Sequence, residues 1–230
     1  MSKNIDLKLF EKEISSSNSE ALMEIKKRAL DKLKETGIPN KSHENWKYTD
    51  IARPIELVQK YLTNKKNEKE LNSNSSSTAV NEIDAHWINL SEFSLKSEFS
   101  INVEDVIISI SLLSTSKENF DIQINDPISC LNALLINDVI KITIPKNSSI
   151  EKPLGIIWTN SPKQNDFCSN LRCIVDIGEN SNINLINIFQ NEISEEYFIN
   201  SVMEIDIEKN SNVEYLKIQN FNANHHSVDR

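Results

Sequence analysis

Ile144-Pro145-Lys146-Asn147-Ser148-Ser149-Ile150, Ile177-Gly178-Glu179-Asn180-Ser181-Asn182-Ile183 and Ile207-Glu208-Lys209-Asn210-Ser211-Asn212-Val213 are three versions of one heptapeptide. Each has an apolar residue, a Lys or Glu two places on, an Asn-Ser pair, Ser or Asn, and a β-branched residue. The copies start at 144, 177 and 207, so they are spaced by 33 and then 30 residues. A period of this size signals stacked units, each covering its neighbour's apolar face. β-prone runs surround the heptapeptides: Val103–Leu112, Val139–Ile144, Leu154–Trp158, Leu171–Ile177, Ile183–Phe189, Val202–Ile207 and Val213–Ile218. Several alternate with period two, as in Leu171, Cys173, Val175, Ile177. Each unit is strand, Asn-Ser turn, strand, which predicts a β-solenoid; hairpins in a sandwich are the alternative, since Asn-rich turns serve those too.

Outward from the repeat, the chain is poor in glycine, with three in 230 residues. Gly37, Gly155 and Gly178 stand far apart, so neither a dinucleotide fingerprint nor a phosphate loop exists. Asparagine tolerates the left-handed backbone region better than most residues and is read here as filling the turns that glycine usually takes. No closing element follows the third copy before Arg230, and a solenoid ordinarily ends in a cap, so the natural protein is expected to continue.

Before the repeat lies helical sequence. Leu22, Ile25, Ala29, Leu30 and Leu33 form one stripe in a helix over residues 17–36, with Ser17 and Glu20 at capping-box spacing and Gly37 and Pro39 as the stop. Residues 39–51 read as a turn or short strand whose Trp46 and Tyr48 pack back on that helix. Ile55–Leu62 reads as a second helix and Pro127–Ile136 as a third. Residues 63–80 are low in complexity and predict a polar linker. The division is a helical region over 1–80 and a β core over 81–230. The fold class is mainly β.

The net charge of −9 argues against nucleic acid and against a polybasic membrane contact. The start of the chain has no signal-peptide core, no run is apolar enough to span a bilayer, and Cys130, Cys168 and Cys173 are too few and too irregular for a disulfide framework. A cytoplasmic protein is the expectation. Cys168 and Cys173 lack the third and fourth ligands a metal or cluster needs, and Cys173 falls on the apolar phase of a strand. His225 and His226 with Asp229 offer donors, yet adjacent strand residues point to opposite faces, and an exposed turn is the preferred reading. Asp121 with Asp126 and Glu195 with Glu196 are carboxylate pairs in polar surroundings, unlike a desolvated acid–base pair. No catalytic, cofactor-binding or metal residue is assigned.

Glu44-Asn45-Trp46-Lys47-Tyr48-Thr49-Asp50-Ile51, shortly after Gly37-Ile38-Pro39, resembles the N-terminal signature of SufD-type proteins of the SUF iron–sulfur cluster assembly system. Leu131-Asn132-Ala133-Leu134 with Ile144-Pro145-Lys146 and Glu151-Lys152-Pro153-Leu154, and later Glu214 to Asn220, are similar to further segments of that family. Glu44, Trp46, Lys47, Tyr48 and Thr49 are the signature residues, read as structural. The sister scaffold SufB shares the β core but generally lacks this signature, which favours the SufD type. The resemblance implies an N-terminal helical region, a right-handed parallel β-helix, and a C-terminal helical domain. It implies a non-catalytic scaffold that pairs with SufB and with the ABC-type ATPase SufC. The iron–sulfur cluster and ATP belong to the whole complex, and no cofactor is assigned to this span. The family's cluster-related histidine lies later in the β-helix, so that role is not carried to His225 or His226. A β-solenoid carbohydrate-active enzyme is the alternative from another class; it would need acidic and basic residues converging on one rung face. A structural solenoid with unrelated partners is the third.

Overall fold

The computed structural model describes residues 6–17, 19–41, 44–64, 83–91, 98–118, 120–160, 168–191, 196–220 and 224–230. The helices are α1 (Lys8–Ser15), α2 (Glu20–Thr36), α3 (Ala52–Asn64) and α4 (Pro127–Leu135), with a 3-10 turn at Glu44–Trp46. The strands are β1 (His86–Ser91), β2 (Phe99–Val103), β3 (Val106–Leu112), β4 (Ile140–Ile144), β5 (Leu154–Asn160), β6 (Cys168–Ile177), β7 (Asn182–Asn191), β8 (Tyr197–Ile207), β9 (Asn212–Asn220) and β10 (His225–Asp229). The fold is mixed, with strands predominating.

Two sheets share the strands. The first has the order β1-β5-β7-β9, parallel throughout. The second has the order β10-β8-β6-β4-β3-β2, parallel from β10 to β4 and antiparallel from β4 to β2. From β4 to β10, successive strands alternate between the sheets. The crossing points from the second sheet to the first, after β6 and β8, are the Asn-Ser heptapeptides, and the copy after β4 stacks on them. Period-two residues fill the space between the sheets: Leu154, Ile156 and Trp158 from one side, Cys173, Val175, Tyr197 and Ile199 from the other. The opposite face of the second sheet, through Cys168, Ile174 and Phe198, packs against α3 and α4, and α1 and α2 pack in turn on α4. The molecule is therefore helices on sheet on sheet, and β6, in the middle of the second sheet, is buried on both faces along nearly its whole length even though Ser169, Asn170 and Arg172 interrupt its apolar residues.

The turns show why asparagine replaces glycine. Asn147, Asn180 and Asn210 have φ of 60°, 58° and 59°. Their side chains form a ladder: Asn180 Nδ2 donates to Asn147 Oδ1 at 3.1 Å, and Asn210 Nδ2 to Asn180 Oδ1 at 3.2 Å. The serines stack too, Ser148 N–H donating to Ser181 Oγ and Ser181 N–H to Ser211 Oγ. Glycine could supply the dihedral but not the side-chain bond. In these turns Gly178 alone is a glycine, and space demands it, since a Cβ there would lie 2.5 Å from the Lys146 nitrogen one unit away.

Several expectations need correction. Val103–Leu112 is not one strand; it holds the end of β2, a turn at Glu104 and Asp105 with φ of 47° and 69°, and β3. Helix α2 is capped by Ser19, which accepts from Leu22 N–H, because Ser17 is spent closing α1, where its hydroxyl donates to Glu13 O. Helix α1, with Phe10 and Ile14 buried, is an addition to the expected helices. His225 and His226 lie in β10, not in an exposed turn. The linker expected at 63–80 begins as the last turn of α3, and 65–80 lie outside the described residues.

Candidate functional site

The signature segment leads into α3 and lies under Arg230, which follows β10 and reaches the cap of α4. Its turn is short because Asp50 caps the next helix, its carboxylate accepting from the Ala52 N–H at the start of α3. Trp46 is buried in the helical core. The Arg230 guanidinium lies over its ring, 5.4 Å from the centroid, and pairs with Asp126 Oδ2 at 3.3 Å. Asp126 is itself the N-cap of α4, accepting from Ile128 and Ser129 N–H. Glu44, Lys47, Tyr48 and Thr49 are exposed. Lys47 pairs with Glu44 and stands 5.0 Å from the Tyr48 ring centroid. The expectation that Tyr48 packs back on the helix is wrong: it is 90% exposed. The turn that buries Trp46 leaves the residue two places on facing outward.

Beside this seat, Arg53 of α3 forks onto Glu196, its Nε donating to Oε1 at 2.6 Å, and His226 Nε2 is 3.3 Å from the same oxygen. The Arg53 bond above all holds the Glu196 carboxyl down to about 2, with help from His226 and against desolvation.

A second network lies under α4. Arg172 is wholly buried, and burial pushes its pKa below the usual value while Glu204 opposes that shift. Arg172 Nε donates to Glu204 Oε1 at 2.9 Å, one terminal nitrogen to Asn132 Oδ1 at 3.3 Å, and the other to the Gln123 carbonyl. Asn132 Nδ2 donates to the carbonyls of Leu171 and Asn200, and Glu204 accepts from Gln123 N–H. A buried charge held by this many bonds clips the 120–124 segment and α4 to the sheet. Sequence reasoning gave Asn132 no role of its own. Ile128, Leu131, Leu134 and Leu135 around it on α4 are apolar, and an amide among them is the signal the sequence offers.

All three cysteines are buried, and none is in a disulfide. Cys168 and Cys173 face opposite sides of β6, toward the helices and between the sheets, so they cannot share a ligand. Burial pushes Cys130 up to about 11 and Cys173 far above its ordinary value, keeping both as thiols. His225 packs edge-on against Tyr197 while His226 turns to Glu196, so the two imidazoles part as adjacent strand residues must. Asp126 is used as a cap, and Glu196 is paired while Glu195 lies outside the described residues. No group of three or more potential metal ligands occurs among the described residues. On the second sheet Lys141 of β4 pairs with Asp176 of β6 at 2.8 Å. No described helix is long and apolar enough to cross a membrane.

The structure thus combines mostly parallel strands with a wholly buried cation, Arg172, that ties sheet to helix. Residues 5–156 match the family described as SufBD protein, N-terminal region, and residues 158–230 match the SUF system FeS cluster assembly, SufBD core domain. The chain belongs to the SufBD family, which acts in SUF iron–sulfur cluster assembly. No curated protein matches it.

Proposed function

We propose that this chain is a SufD-type scaffold subunit, non-catalytic, working by contact with the sister scaffold SufB and the ATPase SufC in the cytoplasm. The family match over both regions carries the reading. The strand arrangement supports it: parallel strands alternating between two sheets at a period near 30 suit a right-handed parallel β-helix, with the helical region over 1–80 and the β core over 81–230. Of the signature residues Glu44, Trp46, Lys47, Tyr48 and Thr49, the structural role falls to buried Trp46, the other four being exposed. Iron, cluster and ATP are handled by the assembled complex, and no cofactor is bound by this span. SufD over SufB rests on the Glu44–Thr49 signature.

The test is co-expression of the full-length protein with the SUF ATPase and the sister scaffold, followed by native mass spectrometry. A complex with one copy of each scaffold and two ATPases is expected. Recovery of the full-length protein alone, with both partners folded, overturns the assignment.

A further inference from the structure

Asparagines stack in two ways in this protein. At the turns, Asn180 donates to Asn147 and Asn210 to Asn180, so the oxygens of Asn147 and Asn180 are used by the next rung. Asn170 of β6 and Asn200 of β8 are also register partners. Cys168 and Phe198, two places before them, pack in the helical core, which puts both amides on the helix-side face of the second sheet. Here the amide nitrogens go elsewhere: that of Asn170 to Cys168 Sγ at 3.7 Å, that of Asn200 to the Ile128 carbonyl at 3.2 Å. Both Oδ1 atoms are buried and accept no hydrogen bond from a described residue, Asn170 being 4% exposed and Asn200 0%. A folded interior rarely carries two such acceptors side by side. Asn132 of α4 lies over them, donating to the carbonyls of Leu171 and Asn200.

We propose that the two oxygens are a binding site for one ordered water, which donates a proton to each. Register partners stand about 4.8 Å apart, a gap that a single water spans with two hydrogen bonds of about 2.8 Å. A polar, enclosed position with at least two partners is what an internal water requires. Amide oxygens also bind monovalent cations, but Arg172 lies two residues from Asn170 on the same face, wholly buried and bonded to Asn132, and it repels a second cation. The ligand is therefore neutral. Because α4 covers the site, the water exchanges with bulk only as that helix lifts, which makes its residence time a measure of local opening. The inference stands on the contacts of this chain and is independent of the family's activity.

A high-resolution crystal structure of the full-length protein tests it, from crystals soaked in rubidium chloride and measured at the rubidium absorption edge. The expected result is one density peak within hydrogen-bond distance of Asn170 Oδ1 and Asn200 Oδ1, with no anomalous signal, and loss of that peak in Asn170→Leu. An anomalous peak makes the ligand a cation and overturns the proposal. So does the lack of any peak, whether or not the Asn170 amide has turned to set its nitrogen on Asn200 as a dry ladder. A peak that survives in Asn170→Leu is held by other groups and equally overturns it. Should the variant fail to fold, the wild-type crystals decide the question alone.

Discussion

Asn180 separates the two reasons a turn asparagine can matter. Its φ is 58°, and its side chain both donates to Asn147 and accepts from Asn210. Replacing it by Gly or by Ala deletes both bonds, each worth about 0.5–1 kcal/mol at an exposed position. Gly keeps the dihedral free of strain but loosens the unfolded chain, at about 0.4–1 kcal/mol. Ala must hold a left-handed backbone, at about 1–2 kcal/mol. Asn180→Gly should therefore lower stability by about 1.5–3 kcal/mol and Asn180→Ala by about 2–4 kcal/mol. Asn212 provides the inverse case. It also bonds one rung down, to Asn182 at 3.0 Å, but its backbone is an ordinary strand. There Gly should be worse than Ala. Urea unfolding of the four variants reads the signs directly, with midpoints converted through a common slope. Ala and Gly ranking the same way at both positions would refute the claim that the ladder is built on left-handed asparagines.

Trp46→Ala should cost about 3–5 kcal/mol in the same assay, the value for emptying a large buried aromatic site; a loss under about 1 kcal/mol would show that the ring is not packed. Tyr48→Ala should stay within about 0.5 kcal/mol of the wild type. Arg172→Ala should cost about 3–5 kcal/mol because it leaves Glu204 and Asn132 without their cation, and a restored stability in the Arg172→Met, Glu204→Leu double variant would confirm that the pair is replaceable. Glu104 accepts from Glu151 N–H, His86 and Lys152 N–H, which pull its carboxyl from 4.5 to about 2. A depressed folded-state value means stabilisation that is complete above about pH 4.5 and is lost as pH falls toward 2. Glu104→Gln should flatten that part of the acid-denaturation curve, and an unchanged curve would show that the contact is not formed in solution.

The stacked core was legible because its information is local. The heptapeptide places an asparagine wherever the backbone turns left-handed, and the residues on either side alternate. The turn at Glu104 and Asp105 was missed because it carries neither glycine nor asparagine; the hairpin pairing of β2 with β3 imposes its dihedrals. Strand β10 was missed because Val228 is its only apolar residue, leaving no alternation to see. The Arg172 clip could not be read from sequence at all. Its partners are at 123, 132 and 204, and only the packing of α4 on the sheet brings them together.

The ladder also bears on how this protein ages. An Asn-Ser pair is chemically fragile, since the serine nitrogen can attack the asparagine side chain and convert it to aspartate. At Asn147 and Asn180 that nitrogen is tied up, because the Ser148 and Ser181 N–H groups donate to the hydroxyl of the next unit. The side-chain amides are engaged as well. Stacking therefore shields the dipeptides that the turns require, and a folded sample should keep its amides far longer than the same chain in denaturant. Conversion of Asn180 would set a carboxylate against the Asn147 side-chain oxygen to which its amide now donates, so damage at one unit would loosen its neighbour.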